Sequence, residues 1–294
     1  MNFYAWWIAF RPNTLIVSIA PVILGIALSI HNTNFTSISV AFFTLLAAIL
    51  IQIGTNLVND LFDYINGADN EDRLGPTRAA QSGLLTINQV RIGAFLSFFL
   101  ALVIGVYLVY IGGVPILIIG TLSIISGYCY TAGPYPLAYN GLGDIFVFIF
   151  FGLIAVPGTY YLQSNILFDF NSILIGSSVG FIAVAILCVN NIRDIDTDRK
   201  VGKKTLAVRF GIKKITILYD IMIVFSYLSI LFLFFDLRFK DKFELLLIFL
   251  SLPISVKLII DIHRFKGKDL NIILARTALL IRLFSFLLLL GIIL

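Results

Sequence analysis

The chain of 294 residues is 60% hydrophobic and only 13% charged, with a formal net charge of +5. Soluble domains contain about 25% charged and 45–50% apolar residues, so this composition excludes an ordinary soluble protein and indicates an integral membrane protein. The sequence contains no nucleic-acid-binding motif, and we attribute the positive charge to membrane topology. Cys129 and Cys188 both lie in apolar runs, so we expect neither a disulfide nor a metal-thiolate site.

Apolar segments recur along the whole chain, each near the roughly 20 residues that cross a bilayer as a helix. They predict an all-α integral membrane protein with about nine transmembrane helices, in a single polytopic domain over residues 1–294. The N-terminal stretch MNFYAWWIAFRPNTL has no small-residue cleavage site, so we expect it to stay in the mature protein. The predicted spans are 14–30, 38–58, 92–110, 114–131, 142–162, 171–190, 215–235, 243–261 and 271–293.

Basic residues are distributed unevenly between the two sets of loops. With the N-terminus inside, the opposite loops carry only Arg238, Lys240 and Lys242, and the remaining loop lysines and arginines lie on the inner side. The positive-inside rule therefore predicts a multi-pass protein of the cell (inner) membrane. It places the N-terminus and the polar loops 59–90 and 191–214 in the cytoplasm.

The first polar loop gathers five of the 16 acidic residues near one span end. An Asp at the centre of a spanning helix costs roughly 2.5–3.5 kcal/mol, so five acids in hydrocarbon would cost about 12–18 kcal/mol. They must face water or bind cations. Residues three or four apart share a helix face, so Asn56, Asp60 and Asp63 form one stripe with Asn59 beside it. The five acids are Asp60, Asp63, Asp69, Glu71 and Asp72.

The second polar loop opens with NNIRDIDTDRKVGKKTLAVRFG and repeats this pattern. Asn190, Asp194 and Asp198 are each four residues apart, whereas Asp196 points elsewhere. Solvation of a loop explains any single acid, but the same Asn-x-x-x-Asp spacing at two span ends favours a site. We therefore predict that the two acidic clusters face each other across a central cavity.

Facing carboxylates repel one another, so a cation is expected between them. Mg²⁺ prefers hard oxygen ligands and is commonly held by one or two carboxylates together with substrate phosphates. Basic residues threaded among the acids complement phosphate oxygens. They are Arg73, Arg78, Arg193, Arg199, Lys203 and Lys204. This combination at a membrane surface indicates a lipid pyrophosphate as the ligand.

Two further features near the span ends are less specific. The segment GPYPLAYNGLG contains helix breakers that can line a pocket, and tyrosines such as Tyr135 lie in or beside it, although aromatics near span ends are more often interface anchors. Asp144 and Asp220 are lone acids near span ends, and we assign them no functional role.

At these motifs the sequence resembles the UbiA superfamily of membrane prenyltransferases. Members carry two aspartate-rich motifs on cytoplasmic loops after the second and sixth helices, which here would be NLVNDLFD and NNIRDIDTD. Four stretches are similar to the branch that prenylates 1,4-dihydroxy-2-naphthoate in menaquinone biosynthesis. They are RPNTL, NGADNEDRLGPTRAAQSGLLT, YTAGPYPLAYNGLGDIFVFIFFG and NNIRDIDTDRKVGKKTLAVRFG.

The resemblance implies Mg²⁺-dependent transfer of a polyprenyl group from an isoprenyl diphosphate to an aromatic acceptor. For this branch the acceptor would be 1,4-dihydroxy-2-naphthoate, which loses CO₂ to give demethylmenaquinone. The implied metal ligands are Asp60, Asp63, Asp194 and Asp198, with Asn59 also assigned to the catalytic set. The candidate substrate-binding residues are Arg11, Asn56, Arg73, Arg78, Asn190, Arg193, Lys203, Lys204 and Tyr135.

This sequence departs from the superfamily pattern at two places. Many members have a third acid in the first motif where Gly67 stands here, so we expect Asp69 or Asp72 to replace it. Other branches carry a basic residue in the loop after the fourth span, and residues 132–141 contain none. Lys203, Lys204 or Arg78 would then supply that charge. Arg11 is a candidate for holding a carboxylate or the diphosphate, and a role in orienting the chain explains it equally well.

Three alternatives compete with this interpretation. The first is another UbiA-type aromatic prenyltransferase, for example one that uses 4-hydroxybenzoate. The second is a cation-coupled transporter, but an inverted repeat would place the two clusters on opposite sides of the membrane. The third is a CDP-alcohol phosphotransferase, whose Asp-Gly-x-x-Ala-Arg signature is absent from the sequence.

Overall fold

The computed structural model describes residues 3–33, 36–70 and 73–294. Eight helices in these ranges are long and apolar enough to cross a membrane, which confirms the predicted all-α membrane architecture. The eight are α2 (Pro12–Thr33), α3 (Ile38–Ile65), α4 (Ile87–Cys129), α5 (Gly143–Ser164), α6 (Phe170–Arg193), α9 (Ile212–Phe235), α10 (Phe243–Ile262) and α11 (Gly267–Ile293). The shorter helices are α1 (Phe3–Phe10), α7 (Ile195–Lys200) and α8 (Leu206–Phe210).

Polar residues just outside the apolar segments determine where several helices begin and end. Thr86 and Gln89 form a reciprocal capping box at the start of α4. The Asp169 carboxylate accepts a 2.8 Å hydrogen bond from the Ser172 amide at the start of α6. After α3, Gly67 adopts a left-handed conformation with φ of +74°. The chain therefore leaves the helix at this glycine, beyond the predicted span end at residue 58.

Helix α4 explains why about nine predicted spans correspond to eight helices. A straight helix of 43 residues would be about 65 Å long, twice the roughly 30 Å hydrocarbon core. The backbone instead breaks at Gly113 (φ 65°, ψ −152°), two residues before Pro115. A Cβ added at Gly127, beyond the break, would lie 3.5 Å from the ring of Phe98, before it. Helix α4 is thus a hairpin whose arms correspond to the predicted spans 92–110 and 114–131.

Helix α6 lies at the centre of the bundle and packs against α2, α5, α9 and α11. Its contact with α5 is close because glycines face each other. A Cβ at Gly180 would lie 2.5 Å from the Cα of Gly152, and one at Gly176 would collide with the Gly152 carbonyl oxygen. Small residues of this kind let membrane helices approach closely. Helices α3 and α4 pack together on the other side, against α2 and α5, which leaves a cavity between the two groups.

Candidate active site

A large cavity of about 1290 Å³ extends through the bundle between α3–α4 and α6. Along α3 its lining runs from Asp63 to Thr44, about 28 Å at 1.5 Å per residue. Beyond the loop end the walls are mainly apolar. The end near the two polar loops, which we call the polar end, is lined by Arg11, Asn56, Asn59, Asp63, Arg73, Arg78, Asn190, Asn191, Arg193, Asp194, Asp198 and Lys203. The cavity therefore joins a charged site to an apolar tunnel, and the two together are nearly as long as the bilayer core is thick.

Lys203 links the two acidic motifs. Its Nζ lies 3.5 Å from Asp63 Oδ1 of the first motif and 3.7 Å from Asp198 Oδ1 of the second. The same ammonium lies 5.0 Å from the centre of the Tyr139 ring, and the Tyr139 hydroxyl donates a 2.9 Å hydrogen bond to Asp63. The two motifs therefore meet at one end of the bundle, as their spacing predicted. Lys203 also brings a positive charge to the loop 132–141, which has none of its own.

Asp60 shares the helical stripe of Asp63 but has different partners. It is fully buried, and it is absent from the cavity lining. Its Oδ2 accepts hydrogen bonds from the backbone amides of Ala79 and Ala80, at 3.1 and 3.4 Å. In this structure Asp60 fixes the first polar loop against α3, and its role as a metal ligand stays a prediction.

Arg11 enters the cavity from the short connection between α1 and α2. It has a φ of 53°, a left-handed conformation that is uncommon for a residue with a side chain. Asn56 fixes this connection by donating 3.0 Å hydrogen bonds to the Phe10 carbonyl and the Thr14 hydroxyl. One terminal nitrogen of Arg11 is buried and has no hydrogen-bond partner among the described residues. An unsatisfied guanidinium nitrogen in a cavity wall favours binding of an anion.

Asp69 holds two arginines of the first polar loop. It is 2% exposed, its carboxylate pairs with Arg73, and its Oδ2 lies 3.2 Å from Arg78 Nε. Both arginines line the cavity, whereas Asp69 does not. Asp69 is therefore placed to orient the guanidinium groups of both arginines toward the polar end. The other candidate for the third acid, Asp72, lies outside the described residues together with Glu71.

Arg193 joins the second motif to the first polar loop and to α11. It donates hydrogen bonds of 2.8 and 2.6 Å to Asp194 and one of 2.9 Å to Asn271 Oδ1. Asn271 in turn donates a 2.7 Å hydrogen bond to the Leu74 carbonyl. A Cβ at Gly75 would lie 2.7 Å from an Arg193 nitrogen. The loop thus passes close over the second motif at a residue without a side chain.

The charged groups of the polar end have different affinities for protons. Burial would raise the pKa of Asp194, but its hydrogen bonds from Arg193 outweigh burial and the net pKa is lowered. Burial raises the pKa of Asp198 to about 6, and Lys203 opposes only part of this rise. Burial also lowers the pKa of Arg78 to about 10. At neutral pH the site therefore keeps its arginine charge, and an added cation would favour ionised Asp198.

Comparisons with known proteins agree with this arrangement. The sequence profile of the UbiA prenyltransferase family matches residues 18–291. The chain belongs to the UbiA prenyltransferase family. A 1,4-dihydroxy-2-naphthoate octaprenyltransferase of Escherichia coli (strain K12) is 40% identical over 70% of this chain and 68% of the relative. The enzyme of that name from Haemophilus influenzae is 34% identical over 97% of this chain and 94% of its own.

A solved UbiA structure shares the fold. The UbiA homolog from Archaeoglobus fulgidus bound to GPP and Mg²⁺ superposes with a TM-score of 0.61 at 19% identity, covering 98% of this chain and 99% of that one. The resemblance of the motifs to the UbiA family is thus confirmed, and this chain is a membrane prenyltransferase. A cation-coupled transporter and a CDP-alcohol phosphotransferase are no longer alternatives.

The residues of the polar end fit a divalent cation that is shared with a phosphate ligand. Among the described residues, no three Asp, Glu, His or Cys side chains are grouped closely enough to hold a metal by themselves. However, Asp63 and Asp198 are close enough for one ammonium group to pair with both carboxylates. One or two carboxylates plus substrate phosphates are a common Mg²⁺ environment. The UbiA polar end therefore offers suitable oxygen donors once a diphosphate is bound.

Two predicted substrate contacts lie away from the cavity of this UbiA protein. Tyr135 is 59% exposed, and the exposed Lys204 uses its backbone amide to hydrogen-bond the Tyr139 carbonyl at 2.8 Å. Neither lines the cavity. In their place Lys203 lines the cavity, and Tyr139, which does not line it, contacts both Asp63 and Lys203. The two members of each pair carry the same side-chain chemistry, so only the course of the loops distinguishes them.

Several polar residues at the site were not predicted. Thr131 donates a 2.8 Å hydrogen bond to Asn59 Oδ1 and orients that amide. Asn191 lines the cavity beside the predicted Asn190, and the adjacent position in an acidic motif was a signal for it. Nothing in the sequence pointed to Asn271, which is far from both motifs along the chain and reaches the polar end from α11.

Proposed function

We propose that this UbiA protein transfers a polyprenyl group from an isoprenyl diphosphate to 1,4-dihydroxy-2-naphthoate, with loss of CO₂. The direct product would be the reduced, hydroquinone form of demethylmenaquinone. The acceptor is inferred from the naphthoate-branch stretches of the sequence and from the names of the Escherichia coli and Haemophilus influenzae relatives. Other aromatic acceptors of UbiA-type enzymes, such as 4-hydroxybenzoate, are the alternative that the experiment below distinguishes.

The observation that carries the proposal is the division of one cavity into a charged end and an apolar tunnel. A diphosphate needs several hydrogen-bond donors of positive charge, and the polar end supplies them from three sides through Arg11, Arg73 and Lys203. A polyprenyl chain needs a long apolar channel, which the lining along α3 from Asn56 to Thr44 supplies over about 18 Å. The bond between the prenyl chain and the diphosphate would break at the junction of these two parts of the cavity.

Asp63, Asp194 and Asp198 would hold Mg²⁺ against the diphosphate, with Asn59 and Asn190 as further oxygen donors. Mg²⁺ would supply charge stabilisation to the departing diphosphate. Arg11 is suited to a direct contact with an oxygen anion because one of its nitrogens has no partner among the described residues. Asp69 would keep Arg73 and Arg78 directed at the same group. The buried surroundings strengthen each of these interactions relative to water.

Breaking the bond between the allylic carbon and the diphosphate oxygen leaves the electron pair on oxygen and a cation on carbon. Phe146, Phe150 and Phe151 line the cavity on α5. Aromatic faces stabilise a cation by about 0.5–2 kcal/mol each. The electron-rich acceptor ring then forms the new carbon–carbon bond. The carboxylate on the attacked carbon leaves as CO₂, and its bonding electron pair restores the aromatic ring.

We also propose the orientation given by the basic loops. The N-terminus and the polar end would face the cytoplasm, in the inner membrane of the cell. This arrangement would let the charged diphosphate enter from water while the prenyl chain stays within the thickness of the bilayer.

The decisive experiment supplies purified protein in detergent with Mg²⁺, polyprenyl diphosphates and carboxyl-labelled 1,4-dihydroxy-2-naphthoate. We expect a prenylated product by mass spectrometry and release of the label as CO₂. EDTA should abolish turnover and added Mg²⁺ should restore it. Retention of the label in the product, full turnover in EDTA, or a preference for 4-hydroxybenzoate would contradict the proposal. Asp63→Asn is the matched inactive control, since it removes one charge with little change in shape.

A further inference from the structure

Asp144 is a buried carboxylate that none of the functions above uses. It lies in the first turn of α5, is 6% exposed and lines the cavity. Asn191 Nδ2 donates to its Oδ2 across 3.5 Å, at the long limit for a hydrogen bond. Its Oδ1 is buried and has no partner among the described residues. A carboxylate at this depth is costly and marks a functional position when no cation pairs with it.

The surroundings of Asp144 distinguish it from the other acids of the cavity. In the described part of the chain no lysine or arginine forms an ion pair with it, whereas Asp63, Asp194 and Asp198 each have one. The Tyr130 hydroxyl is close by, because a Cβ at the adjacent Gly143 would lie 2.9 Å from that oxygen. Tyr130, Asp144 and Asn191 all line the same cavity. Together they form a small polar notch without positive charge.

The notch lies where the charged end meets the apolar wall. The next cavity-lining residues of α5 after Asp144 are Phe146, Val147 and Phe150. A diphosphate would be repelled by an unpaired carboxylate, and a prenyl chain has no polar group to offer it. The remaining substrate of the proposed reaction is an aromatic ring with hydroxyl groups. A carboxylate only accepts hydrogen bonds, and these hydroxyl groups can donate them.

We propose that Asp144 Oδ1 accepts a hydrogen bond from a ring hydroxyl of the aromatic acceptor, with Asn191 positioning the carboxylate through Oδ2. This inference rests on the proposed function. The acceptor ring would then lie against α5, between the departing diphosphate and the phenylalanines. Asp144 therefore determines that the acceptor is a phenol and sets which ring carbon faces the allylic cation.

The contact also provides a place for a proton during the reaction. As the ring carbon bonds to the allylic carbon, the hydroxyl proton moves to Asp144 Oδ1 and the hydroxyl becomes a ring carbonyl. When the carbon–carbon bond to the carboxylate breaks, its electron pair returns to the ring. The carbonyl oxygen then takes the proton back from Asp144. No proton is gained or lost overall, and CO₂ and diphosphate are the leaving groups.

The test compares Asp144→Asn with Asp220→Asn. Asp220 pairs with His263 at 2.7 Å and is absent from the cavity lining, so its variant is a matched control for loss of one carboxylate. Hydrogen bonds to charged groups contribute enough that we expect kcat/KM for the acceptor to fall about 10- to 100-fold in Asp144→Asn. The KM for the prenyl diphosphate should change less than about twofold, because no diphosphate contact is lost.

A second arm uses the two monomethyl ethers of 1,4-dihydroxy-2-naphthoate. Blocking the hydroxyl that Asp144 binds should slow the wild type, and Asp144→Asn should add no further loss on that ether. Equal losses from Asp144→Asn on the parent acceptor and on both ethers would overturn the proposal. The proposal would also be overturned if kcat/KM of Asp144→Asn for the parent acceptor were within twofold of the wild-type value.

Asp144→Glu is the second test variant, to be used if Asp144→Asn lowers the melting temperature. The longer side chain keeps the carboxylate, so it should retain more acceptor turnover than the amide. A Glu variant that folds but is no better than Asn in acceptor kcat/KM would contradict a role for the carboxylate. A wild-type protein that prenylates no naphthoate would overturn the proposed function itself. An active wild type with an unaffected Asp144→Asn would overturn only the role of Asp144.

Discussion

Replacement of Lys203 by Met is expected to weaken both the fold and the binding of the donor. The Lys203 side chain is only 14% exposed, and its ammonium lies 3.5 and 3.7 Å from carboxylate oxygens of Asp63 and Asp198. At an effective dielectric constant of about 20, each attraction is about 4.5 kcal/mol before the cost of desolvation is subtracted. Removing one partner of a buried pair typically costs about 3–5 kcal/mol, because the remaining charges are left uncompensated.

We therefore expect Lys203→Met to lose about 3 kcal/mol of stability, which lowers Tm by about 6 °C in a chain of this size. Addition of Mg²⁺ should raise the Tm of the variant more than that of the wild type, since the cation replaces the missing charge between the carboxylates. The donor KM should rise about tenfold as one cation of the polar end is lost.

Lys204→Met is the matched control, because Lys204 is adjacent in the sequence and exposed, and it does not line the cavity. The assay is thermal unfolding in detergent at constant ionic strength, with and without Mg²⁺, together with initial rates at varied donor concentration. Equal Tm and donor KM in the two variants would refute the assignment of Lys203 as the link between the motifs.

Three further predictions follow from other contacts. Asp63→Ala should cut turnover by orders of magnitude, and its Tm should fall less than that of Asp60→Ala because Lys203 keeps its ion pair with Asp198. Asp60, in contrast, accepts two loop amides; comparable Tm losses in both variants would contradict this distinction. Arg11→Met should raise the KM of an anionic substrate about tenfold or more without loss of Tm, since one guanidinium nitrogen has no partner in the described structure, and a marked fall in Tm would count against it. Gly176→Ala should destabilise the protein by at least about 2 kcal/mol, because its Cβ would collide with the Gly152 carbonyl oxygen, whereas Gly105→Ala meets open space and should be nearly neutral. Similar unfolding midpoints for these last two variants would show that the α5–α6 contact is looser than described.

The sequence by itself determined the membrane class, the spans and the two acidic motifs. Apolar runs of about 20 residues are typical of transmembrane helices, so the all-α architecture followed from composition and length. Helical periodicity placed Asn56, Asp60 and Asp63 on one stripe, and Gly67 ended the helix because its left-handed φ suits a residue without a side chain. Such local rules need no knowledge of the neighbouring helices.

Tertiary structure decided which residue of each similar pair reaches the cavity. Asp60 and Asp63 share a helix face, but residues 79 and 80 cover only Asp60. Lys203 contacts Asp63 from a distant part of the chain, while its neighbour Lys204 points to solvent. Periodicity gives the face of a helix but not the segment that covers it. Contacts between segments more than a hundred residues apart depend on how the whole bundle packs.

The break in α4 was predicted as two separate spans, 92–110 and 114–131, and the packing of Gly127 against Phe98 supports the hairpin across it. The role of Asp144, in contrast, depends on contacts that the sequence did not reveal. Asp144 looked like an isolated acid near a span end, because nothing close to it in the sequence has related chemistry. It becomes part of a site only when α4, α5 and α6 bring Tyr130, Asp144 and Asn191 to one wall of the cavity. The sequence shows which side chains are available, and the packing of the helices determines which of these side chains contact one another.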